Sequence, residues 1–131
     1  MPIKLAAKSC SAAAVALLVC AALGPANWAP RSGLGWQFDH FVGYFAITCL
    51  ICFAWRRPFL VGGALMTAAV LLEALQAFTP DRTADVVAAL CGASGALAAT
   101  LVAVLFIFIR AQWVAWAQPI ELGTKSALPD Y

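Results

Sequence analysis

The feature that most constrains this chain is a succession of apolar segments, each about as long as a lipid bilayer is thick. A helix needs about 20 mostly apolar residues to cross the hydrocarbon core of a membrane. Of the 131 residues 64% are hydrophobic and only 11% are charged, against roughly 25% charged in an average soluble domain. Segments of the required length lie at about residues 5–23, 36–55, 59–78 and 85–109. The sequence therefore predicts an all-α fold, with residues 1–131 forming a single domain built as a four-helix transmembrane bundle.

The ends of the third and fourth segments carry recognisable signals. The third segment follows Pro58 and stops before Pro80, since proline cannot continue a helix. The fourth has Thr83 as a candidate N-cap, with Asp85 in its first turn, and is predicted to end at Arg110. The remaining residues 119–131 form a polar tail.

The second segment must include polar residues to reach across the membrane. Its uninterrupted apolar part, from Phe41 to Trp55, is only 15 residues long. At 1.5 Å per residue, a helix that spans about 30 Å has to extend back through Asp39 and His40. These two side chains are therefore expected at the membrane boundary.

The first segment allows two interpretations. A basic residue near its start, Lys8, and a short apolar core are typical of a cleaved signal peptide. We favour a retained helix, because three spans alone would make a thin bundle.

Orientation is predicted from the distribution of lysine and arginine, which concentrate in cytoplasmic loops. If both termini are cytoplasmic, only Arg31 and Arg82 of the eight basic residues lie outside. The other six are then on the cytoplasmic side: Lys4, Lys8, Arg56, Arg57, Arg110 and Lys125.

That topology brings most of the polar side chains of the apolar segments to the non-cytoplasmic end of the bundle. They come from three separate parts of the chain: Asp39, His40 and Tyr44; Glu73 and Gln76; Arg82 and Asp85. Residues three or four apart share a helix face, so His40 lies on the same face as Tyr44, and Glu73 on the same face as Gln76. An unpaired charge at Glu73 would cost several kcal/mol inside a membrane. Arg82, Arg31 or a protonated His40 is expected to offset it.

Each of these residues also has a structural interpretation. Asp39 and His40 would be interfacial residues in water, and Asp85 would favour the N-terminus of the fourth helix through its dipole. Glu73 and Arg82 would form an ion pair that ties the third and fourth helices together.

Small residues predict how the helices pack. Glycine and alanine allow close approach of membrane helices, and they recur along one stretch of the fourth segment: Ala88, Gly92, Gly95, Ala96 and Ala99. Gly62 and Gly63 are candidates for the same role in the third. All five cysteines lie within apolar segments, including the C-x-x-C of Cys49 and Cys52. They are interpreted as packing residues rather than as disulfides or redox groups.

The polar residues also carry a resemblance to a known family. Their order resembles the pattern of the VanZ-like family of bacterial membrane proteins: Asp39-His40-Phe41-x-x-Tyr44, Glu73-x-x-Gln76, Pro80-x-Arg82-x-x-Asp85 and Gly92-x-x-Gly95. Family members often place the histidine three residues after the aspartate, whereas here the two are adjacent. The resemblance implies a multi-pass protein of the bacterial inner membrane, and the founding member is associated with low-level resistance to the glycopeptide teicoplanin.

The first functional hypothesis is a site that binds or acts on an anionic lipid-linked or cell-envelope head group at the outer leaflet. Arg82 and the amides that begin the fourth helix suit a phosphate, with Tyr44 and Gln76 as further binding residues. Histidine changes charge near neutral pH, so His40 is a candidate acid or base with a carboxylate beside it. The candidate catalytic residues are Asp39, His40, Glu73 and Asp85.

The alternative is a non-enzymatic accessory subunit that docks on a larger membrane complex through the small residues and tryptophans of the fourth helix. A divalent-metal site from the histidine and carboxylates is weaker, because one histidine without diagnostic spacing does not define one. No cofactor fingerprint and no basic patch interleaved with aromatics is visible, so no cofactor and no nucleic-acid partner are expected. The expected partners are membrane lipid, a lipid-linked envelope precursor or another membrane protein.

Overall fold

The computed structural model describes residues 2–25, 27, 31–80 and 82–117. These residues form four α-helices: α1 (Pro2–Leu23), α2 (Trp36–Trp55), α3 (Pro58–Gln76) and α4 (Val86–Ala117). All four are long and apolar enough to cross a membrane. The predicted all-α architecture, with four helices long and apolar enough to span a membrane, is therefore confirmed, and the predicted polar tail at 119–131 lies outside the described residues.

A tight turn joins α2 to α3. Arg56 adopts a left-handed conformation (φ 47°), and its N–H donates a 2.9 Å hydrogen bond to the carbonyl of Cys52. This satisfies one of the carbonyls that a helix end leaves without a partner. Pro58 then occupies the first turn of α3, where its missing N–H costs nothing. The two helices therefore run antiparallel as neighbours.

The turn between α3 and α4 differs from the prediction at both ends. α3 ends at Gln76 rather than at Phe78, because the next residues form tighter bonds to the third residue back, such as Phe78 N–H to the Leu75 carbonyl at 3.0 Å. α4 begins at Val86, and its N-cap is Asp85 rather than Thr83. The Asp85 carboxylate accepts a 2.8 Å hydrogen bond from the N–H of Val87.

The prediction that α4 ends at Arg110 was wrong. The helix continues for 32 residues to Ala117, a length of about 48 Å. Arginine is a good helix former, and no glycine or proline follows Gly95 until Pro119. Residues 105–117 are all exposed, so this part of α4 extends away from the other three helices.

Small residues bring α2, α3 and α4 together, as the sequence predicts. The small side chains of α4 are buried: Ala88, Gly92, Gly95, Ala96 and Ala99. A Cβ atom at Gly95 would overlap the backbone carbonyl of Phe41, and one at Gly92 would lie 2.8 Å from the ring of Tyr44. Gly62 packs in the same way against Thr100, but Gly63 is exposed and a Cβ atom there would meet nothing within 4 Å, so the prediction for Gly63 was wrong.

The bundle places apolar side chains outside and several polar ones inside. Phe53, Phe59 and Phe78 are 75%, 73% and 85% exposed, whereas Thr48 is fully buried. Soluble monomers rarely expose contiguous apolar surface of this extent. Lipid is therefore the solvent that this surface fits, as expected of a membrane protein.

Candidate functional site

The end of the bundle at which α1 and α3 finish and α2 and α4 begin, called the polar end below, contains a cavity of about 630 Å³. Small-molecule sites in proteins commonly occupy about 300–1,000 Å³. The cavity lies between α1, α2 and α3, and residues from the loop before α2 and from the α3–α4 turn complete its mouth. Its lining consists of Ala14, Leu17, Leu18, Ala21, Ala22, Arg31, Ser32, Phe38, Asp39, His40, Val42, Gly43, Tyr44, Ile47, Leu72, Glu73, Gln76 and Arg82.

The lining changes from polar to apolar along the helices. On α2 the cavity-facing residues recur at helical spacing, from Asp39 and His40 at the polar end to Ile47 about 12 Å deeper. On α1 the deep part is formed by side chains such as Leu17 and Leu18. The cavity is therefore amphipathic, with a charged mouth and an apolar floor.

Glu73 is the most deeply placed acid of the site. It is only 7% exposed, and its Oε1 accepts a 2.8 Å hydrogen bond from the backbone N–H of Asp85. Its second oxygen, Oε2, lies 3.9 Å from Nε2 of His40. Glu73 thus connects α3 to the start of α4 with one oxygen and faces His40 with the other.

The ring of His40 is held in one orientation by its own helix. Nδ1 lies 2.8 Å from the carbonyl oxygen of Trp36. Because a carbonyl oxygen only accepts hydrogen bonds, Nδ1 must carry the proton. Nε2 is therefore the nitrogen that faces Glu73, and the distance of 3.9 Å is too long for a direct hydrogen bond. A protonated ring would pair with Glu73 by charge, whereas a neutral ring presents a second acceptor beside the carboxylate.

Arg82 and Gln76 both bind the C-terminal end of α1. Arg82 donates from Nη2 to the Ala21 carbonyl at 2.8 Å and from Nε to the Gly24 carbonyl at 3.1 Å, with a longer bond of 3.3 Å to Pro25. Gln76 donates to the Ala22 carbonyl at 2.9 Å. A cation is favoured at the negative end of a helix dipole, and these carbonyls have no partner within the helix.

The ion pair between Glu73 and Arg82 suggested by the sequence is not formed. Among the described residues, the one acid–base contact within 4 Å joins Glu73 to His40. The end of α1 binds Arg82 instead, an interaction with backbone carbonyls that no charge pattern in the sequence signals.

The carboxylates of Asp39 and Asp85 both accept hydrogen bonds from backbone amides. Both oxygens of Asp39 lie 3.2 Å from the N–H of Ser32, and Asp85 caps α4. Asp39 lines the cavity but Asp85 does not. Of the four catalytic candidates, His40 and Glu73 therefore each line the cavity and each have one side-chain atom, Nε2 and Oε2, that makes no backbone hydrogen bond. No three acids, histidines or cysteines in the described part of the chain could together hold a metal.

The remaining binding candidates, Tyr44 and Gln76, both line the cavity. Tyr44 lies one turn below His40, is 5% exposed and packs its ring against Gly92. Sequence reasoning did not select Gly43, although its spacing from His40 and Ile47 puts it on the same face. It also gave no role to Ser32, because only the fold brings that residue, together with Arg31, to the cavity.

Comparisons of the chain with protein-family models, with curated proteins and with solved structures found no match. The fold and the cavity by themselves define the class: a bundle of four helices long and apolar enough to span a membrane, with an amphipathic cavity at one end.

Proposed function

We propose that this chain is a bacterial inner-membrane protein similar to the VanZ-like family, and that its cavity binds an anionic lipid-linked or cell-envelope head group at the outer leaflet. The observation that carries the proposal is the amphipathic cavity. Its apolar floor suits the acyl or prenyl part of an amphiphile, and its charged mouth suits a head group. The basic-residue distribution favours both termini on the cytoplasmic side, which puts the mouth at the outer leaflet.

Two arginines at the mouth supply positive charge for a phosphate. A guanidinium has five N–H donors, and the three carbonyl bonds of Arg82 come from Nε and Nη2. Nη1 therefore has two further donors. Arg31, on the loop before α2, is exposed and lines the same cavity. Arginine pairs bidentately with phosphate, so the two side chains together can select an anionic group.

A cavity-filling substitution tests this proposal. A Cβ atom at Gly43 would meet nothing within 4 Å, so Gly43→Leu introduces a larger side chain at a position that lines the cavity. The matched control is Gly63→Leu on α3, where a Cβ atom also meets nothing and the position is exposed outside the cavity. Both changes replace a helical glycine by a better helix former.

The readout is the lipid that stays bound to the purified full chain during native mass spectrometry. We expect Gly43→Leu to lose bound lipid and Gly63→Leu to retain it at the wild-type level. Equal lipid retention by both variants would show that the cavity is not the binding site.

The accessory-subunit hypothesis has one observation in its favour. The exposed end of α4 carries Trp113 and Trp116, which are 74% and 87% exposed, whereas the small-residue stretch of α4 is buried inside the bundle. A partner would therefore dock on the tryptophans. Co-purification of a stoichiometric membrane protein that is lost in a Trp113→Ala/Trp116→Ala variant would support this function, and a monomeric wild-type chain would contradict it.

A further inference from the structure

The gap between His40 and Glu73 has the geometry of a site for a hydrogen-bond donor. Nε2 of a neutral His40 and Oε2 of an ionised Glu73 are both acceptors, and they lie 3.9 Å apart. One nitrogen can lie about 2.9 Å from both atoms at that separation. Both acceptors belong to the cavity lining. The pair therefore fits a ligand group that carries at least two N–H donors.

A cation at this position would also offset a buried charge. Glu73 is 7% exposed and lies about 5 Å from the end of α3, three residues before Gln76. Its Oε1 has the Asp85 amide as donor, but no hydrogen bond to Oε2 is found in the described part of the chain. An ionised carboxylate in a membrane requires a partner, and an ammonium group supplies both charge and donors.

The charges of the cavity are balanced rather than uniformly positive. Two carboxylates, Asp39 and Glu73, line it together with two guanidinium groups, Arg31 and Arg82. Gln76 is about one turn beyond Glu73 and binds Ala22, the neighbour of the Ala21 carbonyl that Arg82 binds. The Arg82 guanidinium is thus about one helical turn, roughly 5 Å, nearer the mouth than Glu73.

Resting on the proposed function, we infer that the ligand is an amine-bearing phospholipid, with its primary ammonium between Glu73 and His40 and its phosphate at Arg82 and Arg31. In such a head group a two-carbon link separates the amine from the phosphate, which matches the order of charges along the cavity. The apolar floor formed by residues such as Leu17, Leu18 and Ile47 accommodates acyl chain, which favours a lipid over a soluble phosphoamine.

The test uses the full chain in detergent, offered equal parts of phosphatidylethanolamine, phosphatidylcholine and phosphatidylglycerol with the same acyl chains. Native mass spectrometry measures which lipid stays bound. Because hydrogen bonds to charged groups are strong, we expect phosphatidylethanolamine to be retained about tenfold over phosphatidylcholine, whose ammonium has no N–H. The monomethylated lipid keeps two N–H donors and should be retained like phosphatidylethanolamine, whereas retention should fall at the dimethylated lipid, which has only one.

A variant tests the acceptor directly. In Glu73→Gln the amide oxygen can still accept from Asp85 N–H, which leaves an NH₂ group in place of Oε2. We expect this variant to bind phosphatidylethanolamine and phosphatidylcholine equally. Unchanged preference in the variant, equal retention across the methylation series of the wild type, or stronger retention of phosphatidylglycerol would overturn the inference.

Two further arms separate this inference from its premise. If the three lipids are retained in the equal proportions in which they were offered, and Gly43→Leu and Gly63→Leu retain the same amount of lipid, the proposed function itself fails. If lipid is retained in the cavity without regard to the amine, only the present inference fails. Glycerophosphoethanolamine, the head group without acyl chains, should not displace the lipid at equal concentration, and displacement by it would overturn the assignment to a lipid.

Discussion

The backbone N–H of Asp85 donates a 2.8 Å hydrogen bond to Oε1 of Glu73, twelve residues earlier in the chain. The residue that caps α4 is therefore held by a buried side chain of α3. This bond fixes the start of α4 relative to the cavity wall and leaves Oε2 of Glu73 directed at His40. A structural and a ligand-facing role are thus combined in one carboxylate.

Removal of that carboxylate should destabilise the bundle. Glu73→Ala leaves the Asp85 N–H without its acceptor in a part-buried position, which costs about 1–3 kcal/mol in the free energy of unfolding. Glu73→Gln retains an acceptor and should lose less. Denaturant titration in detergent, followed by tryptophan fluorescence, measures both. Thr67→Ala, an exposed change on the same helix, serves as the control and should stay within about 0.5 kcal/mol of wild type. Equal stability of the alanine variant and the control would contradict the role of the bond.

Arg82 should determine how firmly α1 is held. It donates three hydrogen bonds to carbonyls at the end of α1, in a fork that a lysine cannot reproduce. We expect Arg82→Lys and Arg82→Ala to increase amide hydrogen exchange in the last turn of α1, about tenfold or more if two of the bonds are lost. The control is Arg110→Lys at an exposed position of α4, which should leave exchange in α1 unchanged. Wild-type exchange in both Arg82 variants would show that α1 is held by its apolar contacts alone.

Two glycine substitutions should have opposite effects. A methyl group at Gly95 would overlap the backbone carbonyl of Phe41, so Gly95→Ala must separate α2 from α4 and should cost about 1–3 kcal/mol. At Gly63 nothing lies within 4 Å of the new Cβ atom, so Gly63→Ala should stabilise α3 by about 0.5–1 kcal/mol. Both values are changes in the free energy of unfolding, obtained from the same denaturant titration. Wild-type stability of the Gly95→Ala protein would contradict the close contact between α2 and α4.

The predicted orientation can be tested by labelling single cysteines in a background without the native five. Leu34 lies in the loop before α2 and Arg57 in the turn after it, and both are exposed. If both termini are cytoplasmic, Leu34→Cys should react with a membrane-impermeant maleimide in intact cells, whereas Arg57→Cys should react only after permeabilisation. The reverse pattern would place the cavity mouth at the inner leaflet.

The sequence by itself determined the architecture. Apolar length predicted four spanning helices, since a bilayer offers backbone groups no partner outside a helix. The boundaries of α2 and the close packing through Gly92 and Gly95 also followed from residue type, because only small side chains let helix backbones approach so closely. Helical spacing together with chain direction predicted that polar residues of α2 and α3 would meet at one end. The extension of α4 past Arg110 was not predicted, because a single charge does not interrupt a helix.

The tertiary structure decided which polar groups are paired and which face the cavity. Opposite charge in the sequence suggested that Glu73 would bind Arg82, yet Glu73 binds the Asp85 amide and faces His40, while Arg82 binds carbonyls of α1. The physical reason is that backbone amides and carbonyls at helix ends compete for side chains as strongly as charges do. Where those ends lie relative to each side chain depends on the packing of all four helices, and residue types carry no signal of that position.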